Sequence, residues 1–295
     1  MHTNFSGLTE VLGCLGLRCR TTHGEPLADR LSETHLLIVP PPTGRYDAVK
    51  ERWRAERSSL FGGDEVSAIL SFLHGGGRLL AFGYRFGDSF TRTNLGHLCN
   101  ALGCQLNDDA VIDTRALRQT HPLQLHLEIP SECLLPSWAR LGVNTVHWRP
   151  AATFTLVSGA TASPLALSTG GASLSFDRTL RRISFEPLPL AVVGHHGAGR
   201  FALFGGPHVF ESSSLGLLNS GNNRRFLENV LHWLLTDSDV APVASQFAGL
   251  NWARDCHEVT RIEARGEGKR TIARVERVLR ETGVLKALNR AKWMP

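Results

Sequence analysis

Residues 75–88, Gly-Gly-Gly-Arg-Leu-Leu-Ala-Phe-Gly-Tyr-Arg-Phe-Gly-Asp, constrain the fold of this chain more than any other stretch. The three glycines end an amphipathic pattern built on Val66, Ile69, Leu70 and Leu73, and so predict the stop of a helix that opens at Gly63-Asp64-Glu65. Arg78 to Phe82 follows at once, a short apolar run bounded by glycines on both sides, which predicts a buried strand of parallel type. In an open α/β sheet, ligands and reactive groups collect just beyond the carboxyl ends of such strands. That position is held by Gly83-Tyr-Arg-Phe-Gly87, which has the spacing of a nucleophile turn but carries Arg85 where Ser or Cys would be needed. The pattern predicts where a site lies and withholds the group that would make it an acyl-transfer site.

The flanking segments extend the same architecture. Leu8, Val11, Leu12 and Leu15 predict a first helix over Leu8 to Leu17, and the proline-stopped run His35 to Pro42 predicts a buried parallel strand. Thr93 to Leu102 reads as a helix closed by Gly103, and Gln105 to Asp113 as extended chain. Strand, helix, strand, helix in this order indicates a doubly wound or related three-layer α/β sheet. Residues 114–151 hold Pro122, Pro130, Pro136 and Pro150 and predict loops or a short insertion. Extended runs follow at Phe154–Val157, Leu165–Leu167, Leu174–Phe176, Leu190–Val193 and Arg200–Phe204, the last two forming a hairpin whose turn spans Gly194 to Gly199. Asn222 to Leu235 predicts an N-capped helix with Phe226, Leu227, Val230, Leu231 and Leu234 as its apolar stripe. Asp237 to Pro242 reads as a boundary, giving an α/β domain over 1–239 and a basic helical extension over 240–295.

Net charge locates one function class in that extension. From Arg261 onward ten Lys or Arg face four Glu, a surplus of six against +5 for the whole chain, so any anionic partner is a matter for the tail. Ile272, Val275, Leu279 and Leu285, with Arg274 and Arg277 between them and Trp293 near the end, form an amphipathic surface. Interspersed glutamates and scarce aromatics favour a protein partner over nucleic acid. No run approaches the ~18 apolar residues of a membrane span, and Met1-His-Thr-Asn-Phe-Ser has no basic stretch leading into an apolar one, so a cytoplasmic address is expected. Cys14, Cys19, Cys99, Cys104, Cys133 and Cys256 form no C-x-x-C pair; most are expected to be buried thiols, with neither disulfide framework nor metal knuckle.

The order of several motifs resembles a known family. Asp64 to Leu80, then Thr93-Asn-Leu, Leu102-Gly and Asn107-Asp-Asp-Ala-Val-Ile112, followed by Pro164 to Thr169, Pro189 to Val193, Gly199 to Gly206, Phe210 and Phe226 to Thr236, is similar to the GIFT domain of gliding-motility and intraflagellar-transport proteins. The resemblance spans roughly residues 8 to 236. It implies a class I glutamine amidotransferase-like fold, a three-layer flavodoxin-like sheet flanked by helices, and a binding or assembly module for which carbohydrate binding has been proposed. It carries over no catalytic residue, because no nucleophile stands between Gly83 and Gly87.

The expected ligand-type positions are therefore Tyr84, Arg85 and Asp88 in the turn, with His208 and Glu211 on a second rim after Gly205-Gly-Pro. Arg85 can clamp a carboxylate or phosphate as a planar fork, and Asp88 can orient it or bond a sugar hydroxyl. His74-Gly-Gly-Gly77 imitates an esterase oxyanion motif but precedes its strand, and no G-x-S-x-G accompanies it, so it reads as a helix stop. His195, His196 and His208 are read as turn residues rather than metal ligands, and neither metal nor cofactor is expected. The function expected is that of a pseudoenzyme scaffold, a non-catalytic subunit of a multi-protein complex. Carbohydrate or small-anion binding is the first alternative, and an amidotransferase-like or hydrolytic enzyme with an unconventional nucleophile is the second.

Overall fold

A computed structural model of the chain describes residues 5–21, 27–41, 45–47, 52–54, 60–113, 126–170, 173–177, 183–212 and 216–236. The elements begin with α1 (Ser6–Cys14), α2 (Leu27–Leu31), β1 (Leu36–Val39), β2 (Arg45–Asp47), β3 (Arg52–Arg54), α3 (Gly63–His74) and β4 (Arg78–Phe82). Next come α4 (Gly87–Thr91), α5 (Leu95–Ala101), β5 (Cys104–Leu106), β6 (Asp109–Asp113), β7 (Leu127–Pro130) and β8 (Thr145–Trp148). The remainder is β9 (Phe154–Leu156), β10 (Ser163–Leu167), β11 (Ser173–Asp177), β12 (Ile183–Ser184), β13 (Pro189–His196), β14 (Gly199–Phe204) and α6 (Asn223–Leu235).

The main sheet has the order β1-β4-β14-β13-β10. Its first three strands are parallel, while β13 and β10 are antiparallel to their neighbours, so the sheet is mixed. Alternation along the central strands feeds two apolar clusters. Leu80, Phe82, Ala202 and Phe204 join Leu8, Val11 and Leu12 of α1 and the stripe of α6. Leu79, Ala81, Phe201 and Leu203 join Ile69 and Leu73 of α3 and Leu95, Leu98 and Cys99 of α5. A strand buried on both faces must be apolar throughout, and Leu79 to Phe82 is at most 1% exposed. On the α6 side Trp148 stacks on Phe204 at 5.7 Å, and Phe82, Phe204, Phe210 and Phe226 pack ring against ring.

The glycine triplet stops α3 as the sequence predicts. Gly76 has φ +101°, and the Gly76 and Gly77 amides donate to the Leu73 and Phe72 carbonyls. Helix α6 forms where predicted, but its N-cap does not act as one: Asn222 Oδ1 accepts from the Asn144 and Thr145 amides, tying the helix to β8. At its far end Arg200 donates through Nη1 to the Trp233 and Thr236 carbonyls, satisfying the last turn.

Four expectations are corrected. The strand at Leu36–Val39 is half-buried, since β1 is the sheet's edge. The hairpin turn is only Gly197-Ala198, because β13 continues through His195 and His196, which pair with Arg200 and Gly199. Residues 126–150, expected as loops, contain the antiparallel pair β7–β8, whose Leu127, Ile129, Val146 and Trp148 are buried. Of the cysteines, Cys99 and Cys104 are buried, but Cys14 and Cys19 are exposed and Cys133 is half-buried. The domain boundary at 239, Cys256 and the tail positions Ile272, Arg274, Val275, Arg277, Leu279, Leu285 and Trp293 lie outside the described residues.

Candidate functional site at the strand ends

The carboxyl ends of β4 and β14 are adjacent, since the two strands pair in parallel with Phe82 opposite Phe204. The chain leaving β4 is anchored at once: the Gly83 amide donates to the Phe204 carbonyl at 2.7 Å and the Phe86 amide to the Asp109 carbonyl at 2.6 Å. Phe86 is the residue with left-handed backbone, φ 62° and ψ 18°, and its side chain is buried, with Phe90 5.7 Å from its ring. In a nucleophile turn the strained residue is the one that displays its side chain to the cleft. Here the strained position belongs to a core phenylalanine one residue after Arg85. Gly87 follows with φ +56°, and a Cβ there would stand 2.5 Å from Asp108 Oδ1 and 2.8 Å from the Asn107 carbonyl, so only glycine fits.

The second rim starts at Gly205-Gly206. A Cβ on Gly205 would fall on the Ala152 carbonyl oxygen, and the Ala152 amide donates to the Gly205 carbonyl at 3.0 Å. The paired glycines thus serve the close approach of residues 151–152 to the end of β14. Beyond them, His208 Nδ1 donates to Glu211 Oε2 at 2.5 Å. Both side chains are largely buried, 12% and 6% exposed respectively, so this is a contact in low dielectric.

The two rims meet through aromatic and charged side chains. Tyr84 packs edge-on to His208 at 5.9 Å and stacks on Phe90 at 6.2 Å, while the Arg85 guanidinium lies over the Tyr84 ring at 5.1 Å. A third segment adds Arg149, just after β8. Burial lowers its pKa from the ordinary guanidinium value, the neighbouring Arg85 lowers it further, and Glu211 and Tyr84 pull the other way. Arg149 therefore lies within electrostatic reach of both Arg85 and the Glu211 carboxylate, which is already hydrogen-bonded to His208. Arg85 Nε is buried and has no hydrogen-bond partner among the described residues.

Of the residues expected here, Tyr84, Arg85, His208 and Glu211 come together. Asp88 is oriented otherwise: Oδ1 accepts from the Leu95 amide at 3.0 Å and Thr93 Oγ1 at 2.8 Å, and Oδ2 from the Gly96 amide at 2.6 Å. Its carboxylate caps the first turn of α5, where negative charge is favoured. Arg149 was not legible as a member of the site, because 63 residues lie between it and Arg85 and only the fold joins them. Paired guanidiniums repel a cation, so this cluster suits an anion and not a metal ion.

Other candidates fall elsewhere. His195 and His196 lie at the amino end of β14, where His195 meets Trp233 at 5.7 Å and His196 meets His74 at 6.3 Å, far along the strand from His208. A depression of about 360 Å³ also lies at that end, bounded by Leu31, Thr34, His35, Phe72, Gly76 and Leu235. Cys99 and Cys104 are fully buried, and the hydrogen bond with Cys104 followed by burial pushes the Cys99 thiol well above its ordinary pKa. A buried thiol of that kind is a poor nucleophile.

No family profile matches the chain, and no curated protein does. Solved structures do match. The mmIFT52 N-terminal domain superposes with a TM-score of 0.61 at 19% identity, over 82% of this chain and 94% of that one. Cytoplasmic protein STM3548 from Salmonella typhimurium gives 0.49 at 13% identity, over 78% and 87%. A β-galactosidase from Bacillus circulans sp. alkalophilus gives 0.39 at 13% identity and matches over 24% of its own length. The first of these establishes a shared mixed α/β fold, with flanking helices on a mainly mixed sheet. No helix among the described residues is long and apolar enough to cross a membrane.

Proposed function

We propose that this chain is a non-catalytic assembly module, a GIFT-type subunit of a larger complex with the flavodoxin-like layering of that family, and that its strand-end cleft receives an anionic group between Arg85 and Arg149. The observation that carries the cleft reading is the buried Nε of Arg85, without a hydrogen-bond partner among the described residues, near a second guanidinium. Two guanidiniums in a half-buried site repel each other, the one carboxylate beside Arg149, Glu211, is already shared with His208, and a planar fork suits a further carboxylate, phosphate or acidic sugar. The assembly reading is supported by the motif order of residues 8–236 and by the fold shared with the mmIFT52 N-terminal domain.

Catalysis is disfavoured on chemical grounds. The turn after β4 offers Arg85 where a nucleophile would stand, and Cys99 and Cys104 are sealed in the core. The basic extension, through Ile272, Val275, Leu279 and Leu285, supplies the contact to a protein partner, and the cytoplasm is the expected compartment. Affinity purification of the full chain and of a variant lacking 240–295 tests the assembly role. The truncated chain is expected to keep the circular dichroism of a mixed α/β domain and to lose its co-purifying subunit. Unchanged association would overturn the role given to the tail.

A further inference from the structure

We infer that His126, Glu128 and His147 form a binding site for a divalent transition cation of the zinc type on the outer face of the β7–β8 pair. The register builds the cluster. Glu128 stands directly opposite His147, and His126 precedes Glu128 by two, so all three side chains leave the same face of the ribbon. The opposite face carries Leu127, Ile129, Val146 and Trp148 into the core and thereby fixes that register. One ligating atom of each residue lies within 4.8 Å of the others, and the two imidazole rings are 4.5 Å apart, tilted by 29°. Two imidazoles and one carboxylate form the donor set that zinc takes in three-ligand sites, with a fourth position left open. Bringing the three ligand atoms to a common distance of ~2 Å from an ion requires them to draw in from their present spacing of up to 4.8 Å.

The surroundings of His147 are those of a positioned ligand rather than a loose surface imidazole. Its amide donates to Asn223 Oδ1 at 2.7 Å, and its carbonyl accepts from Asn223 Nδ2 at 2.7 Å, so a fully buried side-chain amide grips its backbone from both sides. Its ring Nδ1 is 2.5 Å from Ser220 Oγ. With Nδ1–H donating to that hydroxyl, Nε2 is the nitrogen left to ligate, which is the arrangement outer-shell partners impose on metal-bound histidines. Ser220 lies in the turn just before α6 and Asn223 is the first residue of that helix, so the segment that packs on the sheet also directs this ring. None of these residues takes part in the arginine cleft proposed above, and the inference stands independently of it.

Titration of the metal-free full chain with Co²⁺, followed by its visible d–d absorption and by displacement with Zn²⁺, tests the site. One equivalent is expected to bind. Glu128→Gln and His126→Ala, both on the outer face, are each expected to weaken binding at least tenfold while leaving the circular dichroism unchanged. Ser220→Ala is expected to weaken it by about 10- to 100-fold, as loss of an outer-shell partner does. Absence of stoichiometric Co²⁺ or Zn²⁺ binding, or binding that is undiminished in the His126→Ala, Glu128→Gln double variant, would overturn the inference.

Discussion

The chain enters and leaves β4 through glycine-rich turns, and the two turns differ in what they do with charge. At the entry, Gly75 to Gly77 are hydrogen-bonded into the end of α3, and the Arg78 guanidinium is held by the carbonyls of Gly76, Gly77 and Ala198. A Cβ on Gly199 would strike the Leu73 and Gly77 carbonyls, one on Gly77 would strike the Phe72 ring, and Gly76 holds a φ of +101°. At the exit, Gly87 and Gly205 stand against the Asn107 and Ala152 carbonyls, whereas Gly83 faces the Leu106 side chain. Yet Arg85, between Gly83 and Gly87, has no hydrogen-bond partner at Nε among the described residues and lies near Arg149. Glycine spacing reports where the chain turns or packs closely; a surplus of like charge reports where a counter-charge would be accepted.

This contrast can be broken by substitution, starting with the largest effect. Gly205→Ala places a methyl on the Ala152 carbonyl and is expected to cost about 3 kcal/mol in urea denaturation, whereas Gly83→Ala meets the movable Leu106 methyls at 3.1 and 3.2 Å and the Phe204 carbonyl at an ordinary 3.5 Å and costs about 1 kcal/mol. Equal costs would show that the exit turn is not packed as described. Asp88→Ala removes the acceptor for two α5 amides and is expected to cost between about 1 and 2 kcal/mol, with no effect on anion binding; a loss of binding would return Asp88 to the cleft.

A pH profile gives the next effect. Asp109, whose carbonyl holds the Phe86 amide, has its carboxyl pKa raised by burial, against the opposing hydrogen bonds of the Thr153 and Ser175 hydroxyls and of backbone amides. The native state then holds this proton more tightly than the unfolded chain does. Its contribution is fully present below the unfolded value of about 4 and is lost as pH rises through the raised native value. Chemical denaturation across that window is expected to show the slope in the natural chain and not in Asp109→Asn. The smallest change belongs to Arg85→Ala: stability should stay within about 0.5 kcal/mol or rise, since the lost contact with Tyr84 is offset by relief of repulsion from Arg149. A loss above 1 kcal/mol would make Arg85 a structural residue like Arg78.

Strand β4 was legible to its end residues because glycines punctuate it on both sides and its interior is uniformly apolar. Helices α3, α5 and α6 were legible from their 3.6-residue stripes, within a residue or two. The pair β7–β8 was not, since Pro130, Pro136 and Pro150 around it signal irregular chain. The short alternations Leu127-Glu128-Ile129 and Val146-His147-Trp148 are too brief to outweigh them. Reading that alternation as a strand would have put His126 and Glu128 on one polar face. Within the cleft, the turn after β4 and the His208–Glu211 pair followed from position alone. Arg149 and the capping role of Asp88 depend on which segments the fold brings together, and local pattern carries no information on that.

The central claim is that the exit turn of β4 is a receptor for negative charge in a protein without a nucleophile there. It is tested most directly by the melting temperature of the full chain as inorganic phosphate, sulfate or glucuronate is added at constant ionic strength. The account predicts a saturable rise with at least one of these anions for the natural chain, absent in both Arg85→Ala and Arg149→Ala. No rise with any of them, or the same rise in both variants, would contradict it.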